Sequence, residues 1–198
     1  MKIGIDISQI AHEGTGVATY VRNMVNSLVR KYPEHEYVLF GASLRKRHVF
    51  SNYAATFIKE NLPVRLVSIP MPPTLLDVLW NRLHIAPVEW FTGHLDIFWS
   101  SDWTHPPLLH AVGVTTIHDL SILRYAEESH NTAEVDVVGG RITANIVATH
   151  TRRLMHAAKS CAVFFCDSEA TKHDAHQLLG IPESKLIVVY PGLGEPTV

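Results

Sequence analysis

Seven short runs of apolar, largely β-branched residues recur along the chain. They are KIGIDI (2–7), EYVLFG (36–41), VRLVSI (64–69), LDIFWS (95–100), VGVTTI (112–117), CAVFFC (161–166) and KLIVVY (185–190). Most are continuous rather than alternating, the pattern of strands buried on both faces. Helical periodicity lies between several of them. After Gly16 the apolar positions Val17, Tyr20, Val21, Met24, Val25, Leu28, Val29 and Tyr32 form an i, i+3, i+4, i+7 stripe. Residues 141–159 and 169–179 read as further helices, the second with Ser168 as N-cap and Gly180 as stop ahead of Pro182. Strands and helices in alternation predict an α/β fold, a Rossmann-like doubly wound, mostly parallel sheet of about seven strands. No internal repeat or low-complexity tract interrupts it.

Two regions break the alternation. Residues 70–94 carry prolines and two tryptophans and predict an excursion with one short helix. Residues 121–140 are too polar for core and poorly periodic. Such loops beside the strand ends of a doubly wound sheet either meet ligands or are ordered decoration.

Composition narrows the class. A chain of 198 residues, 46% hydrophobic, suits one sizeable domain. The formal charge of −2 argues against nucleic acid as a partner. Cys161 and Cys166 fall in one apolar run and read as core thiols, not as a disulfide or metal pair. Met1 runs directly into the first strand, and no apolar stretch reaches the length of a membrane span, so a soluble, cytoplasmic protein without a signal peptide is expected.

Three stretches carry candidate chemistry. In HEGTGVATYVRNMV (12–25), two glycines stand between a strand and a helix, where free N–H groups at the positive end of a helix dipole can grip a phosphate. A plain structural turn accounts for the glycines equally well. The loop is not a dinucleotide fingerprint, because Thr19 stands where a third glycine belongs and the second strand ends without an acid. In TTIHDLSILRY (115–125), His118 and Asp119 fall at the end of the fifth strand, on the ligand-binding edge of open α/β sheets. The histidine there can hydrogen-bond a sugar hydroxyl or exchange a proton; alternatively it only ends a strand while Asp119 starts a turn. In FCDSEATKHDAHQLLG (165–180), helix capping explains Ser168 and Glu169, and His173 with His176 reads as a solvated face. There is no Gly-x-Ser-x-Gly elbow, no His-Glu-x-x-His, no zinc-type cysteine spacing and no Asp-x-Asp.

Taken together, the chain resembles the N-terminal domain of a GT-B glycosyltransferase of family 4, also called group 1. The resemblance rests on GTGVATYVRNMV, LWNRLHIAPVEWFTGHLDIFWSSDWTHPP, VGVTTIHDLSILRYAEE and CAVFFCDSEATKHDAHQLLGIPESKLIVVYPGL, in that order and spacing. It implies transfer of a sugar from a nucleoside-diphosphate donor to a glycan or lipid-linked acceptor hydroxyl, with retention of configuration and without metal or other cofactor. Carried over position by position, it implies that Gly14, Thr15 and Gly16 face the donor phosphates and that His118 is catalytic, bonding the transferred sugar or orienting the acceptor. Asp102, Asp119 and Arg124 are placed nearer the acceptor. The resemblance also implies that residues 1–198 are the acceptor-side half. On that reading the C-terminal domain with the donor-gripping motifs is absent, and the lone chain is inactive.

Two readings compete with this one. One is a non-catalytic module that binds an acceptor, a lipid or a partner. Its best support is residues 43–63, where a basic cluster precedes Val49, Phe50, Tyr53, Phe57 and Ile58 and could meet an anionic membrane surface at the inner face. A helix that turns those residues inward is the alternative. The other is a nicotinamide-dependent oxidoreductase, which the missing glycine and acid disfavour.

Overall fold

A computed structural model describes residues 1–124 and 137–192, and the side chains of these except Ile122, Arg124 and residues 137–147. Seven strands form one sheet in the order β3-β2-β1-β4-β5-β6-β7. They are β1 (Lys2–Asp6), β2 (Glu36–Ala42), β3 (Val64–Ile69), β4 (Ile97–Ser100), β5 (Val112–Ile117), β6 (Cys161–Cys166) and β7 (Leu186–Val188). Every neighbouring pair is parallel. The chain builds outward from β1 to β3, then crosses back and continues from β4 to β7. Its direction of winding therefore reverses between β1 and β4, and that reversal opens a crevice at the carboxyl ends of the strands.

Alternate side chains of β2 show why the sequence runs are continuous. Tyr37 and Leu39 pack under helices α1 (Gly16–Lys31) and α2 (Arg47–Lys59), together with Ile5, Val21, Val25, Phe50 and Phe57. Val38, Phe40 and Ala42 point the other way, against Leu76, Trp80, Val88 and Phe98. A third cluster joins β5–β7 to the long helix α6 (Val137–Ser160) and to α7 (Glu169–Leu179) through Ile117, Leu154, Ala157, Phe164 and Ala175. With both faces covered, neither face needs alternating polarity.

The predicted helix ends hold. The Ser168 hydroxyl accepts from the Thr171 amide at 3.1 Å, and Gly180 closes α7 in the left-handed conformation. Both cysteines are free and buried, and burial pushes Cys161 up to about 12 and Cys166 to about 11, so neither is a ready thiolate. In α2, Phe50 and Phe57 are sealed in the core and Tyr53 packs against it, leaving Ile58 as the exposed apolar residue. His173 is exposed as expected, whereas Nδ1 of His176 meets the Ile181 carbonyl at 2.9 Å.

Two expectations are revised. The excursion after β3 contains more than one short helix. Pro73 starts α3 (Pro73–Leu76), which runs on into a π-helical stretch, Asp77–Arg82, and α4 (Glu89–Thr92) follows. Asp77 explains the wide turn, since its carboxylate takes Asn81 at 3.0 Å and Arg82 at 2.9 Å. The second revision concerns the polar segment after β5. A short helix α5 (Ser121–Arg124) opens it, residues 125–136 lie outside the described residues, and α6 begins at Val137 instead of residue 141. Among the described residues, no helix is long and apolar enough to cross a membrane.

A histidine stack clamps the excursion to α6. His84 and His156 lie face to face, 3.8 Å apart and 4° from parallel, with His105 a further 6.4 Å from His84. His105 is sealed between two hydroxyls, with Nδ1 2.9 Å from Ser100 Oγ and Nε2 2.7 Å from Ser160 Oγ. Burial, reinforced by the Arg153 charge, pushes His105 down to about 3, and burial also lowers His156. A histidine depressed in the folded state leaves the unfolded chain binding more protons below its ordinary pKa of 6.5. Stability should therefore fall as pH drops from about 6.5 to 5, by up to about 1.4 kcal/mol per unit from His105 alone. Urea midpoints across that range check this, with His105→Gln expected to flatten the slope; a constant midpoint would contradict it.

Candidate functional site

Strand register brings the first site pair together. β5 and β6 run side by side with Ile117 opposite Cys166, so the next residues, His118 and Asp167, leave the sheet as neighbours. Nδ1 of His118 lies 2.7 Å from Oδ2 of Asp167, and both side chains are about one-fifth exposed. An ionised carboxylate only accepts, so Nδ1 carries the proton, and in a neutral ring Nε2 is then the acceptor. The Tyr20 ring meets His118 edge-on, 4.9 Å between centroids, and Thr171 donates its hydroxyl to the His118 carbonyl at 3.2 Å. Asp167 escaped the sequence reading because capping by Ser168 and Glu169 explained that stretch. The signal that could have found it is the position of an acid directly after a strand, next to a neighbouring strand that ends in histidine.

The glycine loop sits across the crevice from this pair. Gly14 has φ +84°, which favours glycine, while Gly16 has an ordinary φ and an added Cβ there would meet nothing within 4 Å. The turn thus explains Gly14 and not Gly16. Thr15 is the N-cap: its hydroxyl accepts from the Ala18 amide at 3.2 Å and donates to the His12 carbonyl at 2.9 Å. That leaves the amides of Gly16 and Val17 outside intrahelical pairing, with no acid in the first turn of a 16-residue helix.

A pocket of about 100 Å³ joins the two sides, running from Val17 to His118 and Asp119 and back to His150 and Arg153 of α6. Asp102 lines it too, and its Oδ1 is enclosed without a partner in the protein. Asp119 is exposed and accepts from both the amide (3.0 Å) and the hydroxyl (2.6 Å) of Ser121, starting α5 while remaining in the pocket wall. Arg124 closes α5, and its side chain lies outside the described residues.

Arg153 is the main feature the sequence hid. It is 2% exposed, and its Nη2 donates to the Ser101 carbonyl (2.8 Å), the Thr116 carbonyl (3.2 Å) and the Thr115 hydroxyl, while Nε has no partner. Burial lowers its pKa and the Asp102 charge pulls it back; a guanidinium stays protonated regardless. His150 is held below its ordinary value, chiefly by burial, with Arg153 adding to this and Asp102 and Asp119 opposing it. Asp6, at the end of β1, is raised by burial despite the Ser8 amide at 2.8 Å. Among the described residues no group of three or more His, Cys, Asp or Glu side chains could hold a metal ion.

Comparison with protein families decides the lineage. The model of "Glycosyltransferase Family 4" matches residues 14–193. The chain belongs to glycosyltransferase family 4. The match begins at the first loop glycine and spans His118, Asp167 and Arg153, so the crevice lies wholly within the family 4 domain. Comparison with curated proteins finds no significant match.

The His118–Asp167 pair makes a direct prediction. Nitrogen-15 spectra of wild type should show His118 with Nδ1 protonated and Nε2 bare. Asp167→Ala removes the acceptor, so the Nε2–H form should gain; an unchanged tautomer would contradict the pairing.

Proposed function

We propose that this family 4 domain is the acceptor-side half of a two-domain enzyme. That enzyme transfers a sugar from a nucleoside-diphosphate sugar to an acceptor hydroxyl with retention of configuration. The observation that carries the donor part is Gly16: nothing in the fold requires glycine there, yet a side chain would stand at the helix start where two amides are unpaired. A diphosphate leaving group gathers negative charge as the glycosidic bond breaks, and fixed N–H dipoles suit that charge. Gly14 and Gly16 serve through their backbone, while the Thr15 hydroxyl is occupied in holding the helix start. His118 presents Nε2 to a sugar hydroxyl, and the retaining route needs no protein nucleophile if the leaving phosphate takes the acceptor's proton on the same face.

The pocket's size supports a two-domain reading, because about 100 Å³ falls below the roughly 300–1,000 Å³ of complete ligand sites. A second domain carrying the nucleoside grip would close the crevice, and this chain alone would turn over little or nothing. The reaction uses neither metal nor other cofactor in this account. An inner-membrane location for a lipid-linked acceptor draws no support from α2, whose Phe50 and Phe57 face the core.

Calorimetric titration of UDP and GDP tests the donor reading. Dissociation constants weaker than about a millimolar, hence under roughly 4 kcal/mol, are expected, with the residual heat lost in Gly16→Val. That variant should melt near wild type, since a Cβ at this exposed helix start meets nothing within 4 Å. Micromolar binding would contradict the shared-grip account, and binding indifferent to Gly16→Val would remove the glycine loop from it.

A further inference from the structure

We infer that the pocket between α1, β5 and α6 is a subsite for the hydroxyls of an uncharged sugar or polyol, and that anionic acceptors are disfavoured in it. The inference rests on the transferase reading and deepens it by naming the acceptor's class. It starts from two enclosed polar atoms of residues that line the same pocket, the donor Nε of Arg153 and the acceptor Oδ1 of Asp102, neither with a partner in the protein. Burying such atoms unpaired is costly, and a hydroxyl is the group that can accept from one and donate to the other.

The remaining wall makes the same demand. With its Nδ1 proton on Asp167, the neutral His118 ring accepts at Nε2. Asp119 and Asp102 are carboxylates. Three acceptors in one pocket call for hydrogen-bond donors, which hydroxyls have and ionised carboxylates or phosphates lack. His150, kept neutral by burial, can do either. Among the described side chains of the pocket, two carboxylates face one guanidinium, and its Nη2 is already spent on three protein oxygens. An anion entering here would meet more negative than positive charge among these described side chains. Val17, Leu120 and Leu154 add apolar surface to the lining that suits the C–H face of a sugar ring.

The test uses three ligands on one ring frame: methyl α-glucoside, glucuronate and glucose 6-phosphate, each at millimolar concentration with the whole chain. Ring signals of His118 and His150 are followed by NMR. The neutral glucoside should shift both, and the two anions should bind about threefold or more weakly. Asp102→Asn should abolish the glucoside response and narrow the gap to the anions. Where that buried substitution lowers folded yield, Asp119→Asn at the exposed wall should narrow the same gap. Equal or tighter binding of either anion would overturn the inference, as would glucoside binding that leaves both histidines unmoved or no sugar binding at all. The nucleotide titration reads the glycine loop instead of this pocket, so this assignment and the donor reading fail separately.

Discussion

One buried guanidinium ties the working edge of the sheet together. Arg153 reaches from α6 to the Ser101 carbonyl after β4 and to Thr115 and Thr116 in β5, so three segments share a single charged donor. Taking an arginine out of water costs several kcal/mol, and charge-assisted bonds to three oxygens, with Asp102 close enough to be felt, offset that cost. Removing the side chain would leave those acceptors buried and short of partners. The loop after β4 that carries Asp102, the end of β5 that delivers His118, and α6 beside the crevice are all joined through this contact. The cation is therefore structural first, with its Nη2 committed to protein oxygens.

The parallel topology does the rest. Because every strand points the same way, all carboxyl ends lie along one edge, and the reversal between β1 and β4 opens that edge to a ligand. The two chemical halves of the crevice differ in kind. At the glycine loop the protein offers the backbone dipoles of an open helix start. At the ends of β5 and β6 it offers oriented side chains, with Asp167 fixing the His118 tautomer. The proposed transfer uses both, one for a charged leaving group and one for sugar hydroxyls. The histidine stack serves stability: it fastens the irregular excursion to α6 through His84 and His156, with His105 buried beside them.

The fold was legible because burial on both faces writes itself into continuous apolar runs, and the β5 end correctly placed His118. The glycine loop was legible as a turn, yet only the backbone angles separate Gly14, needed by the turn, from Gly16, which the turn does not need. Asp167 and Arg153 were not legible. The first depends on the register between two strands about fifty residues apart. The second is a charge on the buried side of a helix, where periodicity predicts an apolar residue. The excursion was misjudged in detail because the Asp77 bridges, which hold its π-helical turn, are local side-chain choices that hydrophobic pattern does not encode.

The central claim is that donor phosphate and His118 meet across this one crevice. The most direct measurement is a residue-resolved amide and imidazole NMR map of the chain on addition of a nucleoside-diphosphate sugar. The account predicts shifts at the amides of Gly16 and Val17 together with the His118 ring. Perturbation confined to another edge of the sheet, or at the loop with His118 unmoved at saturation, would contradict it.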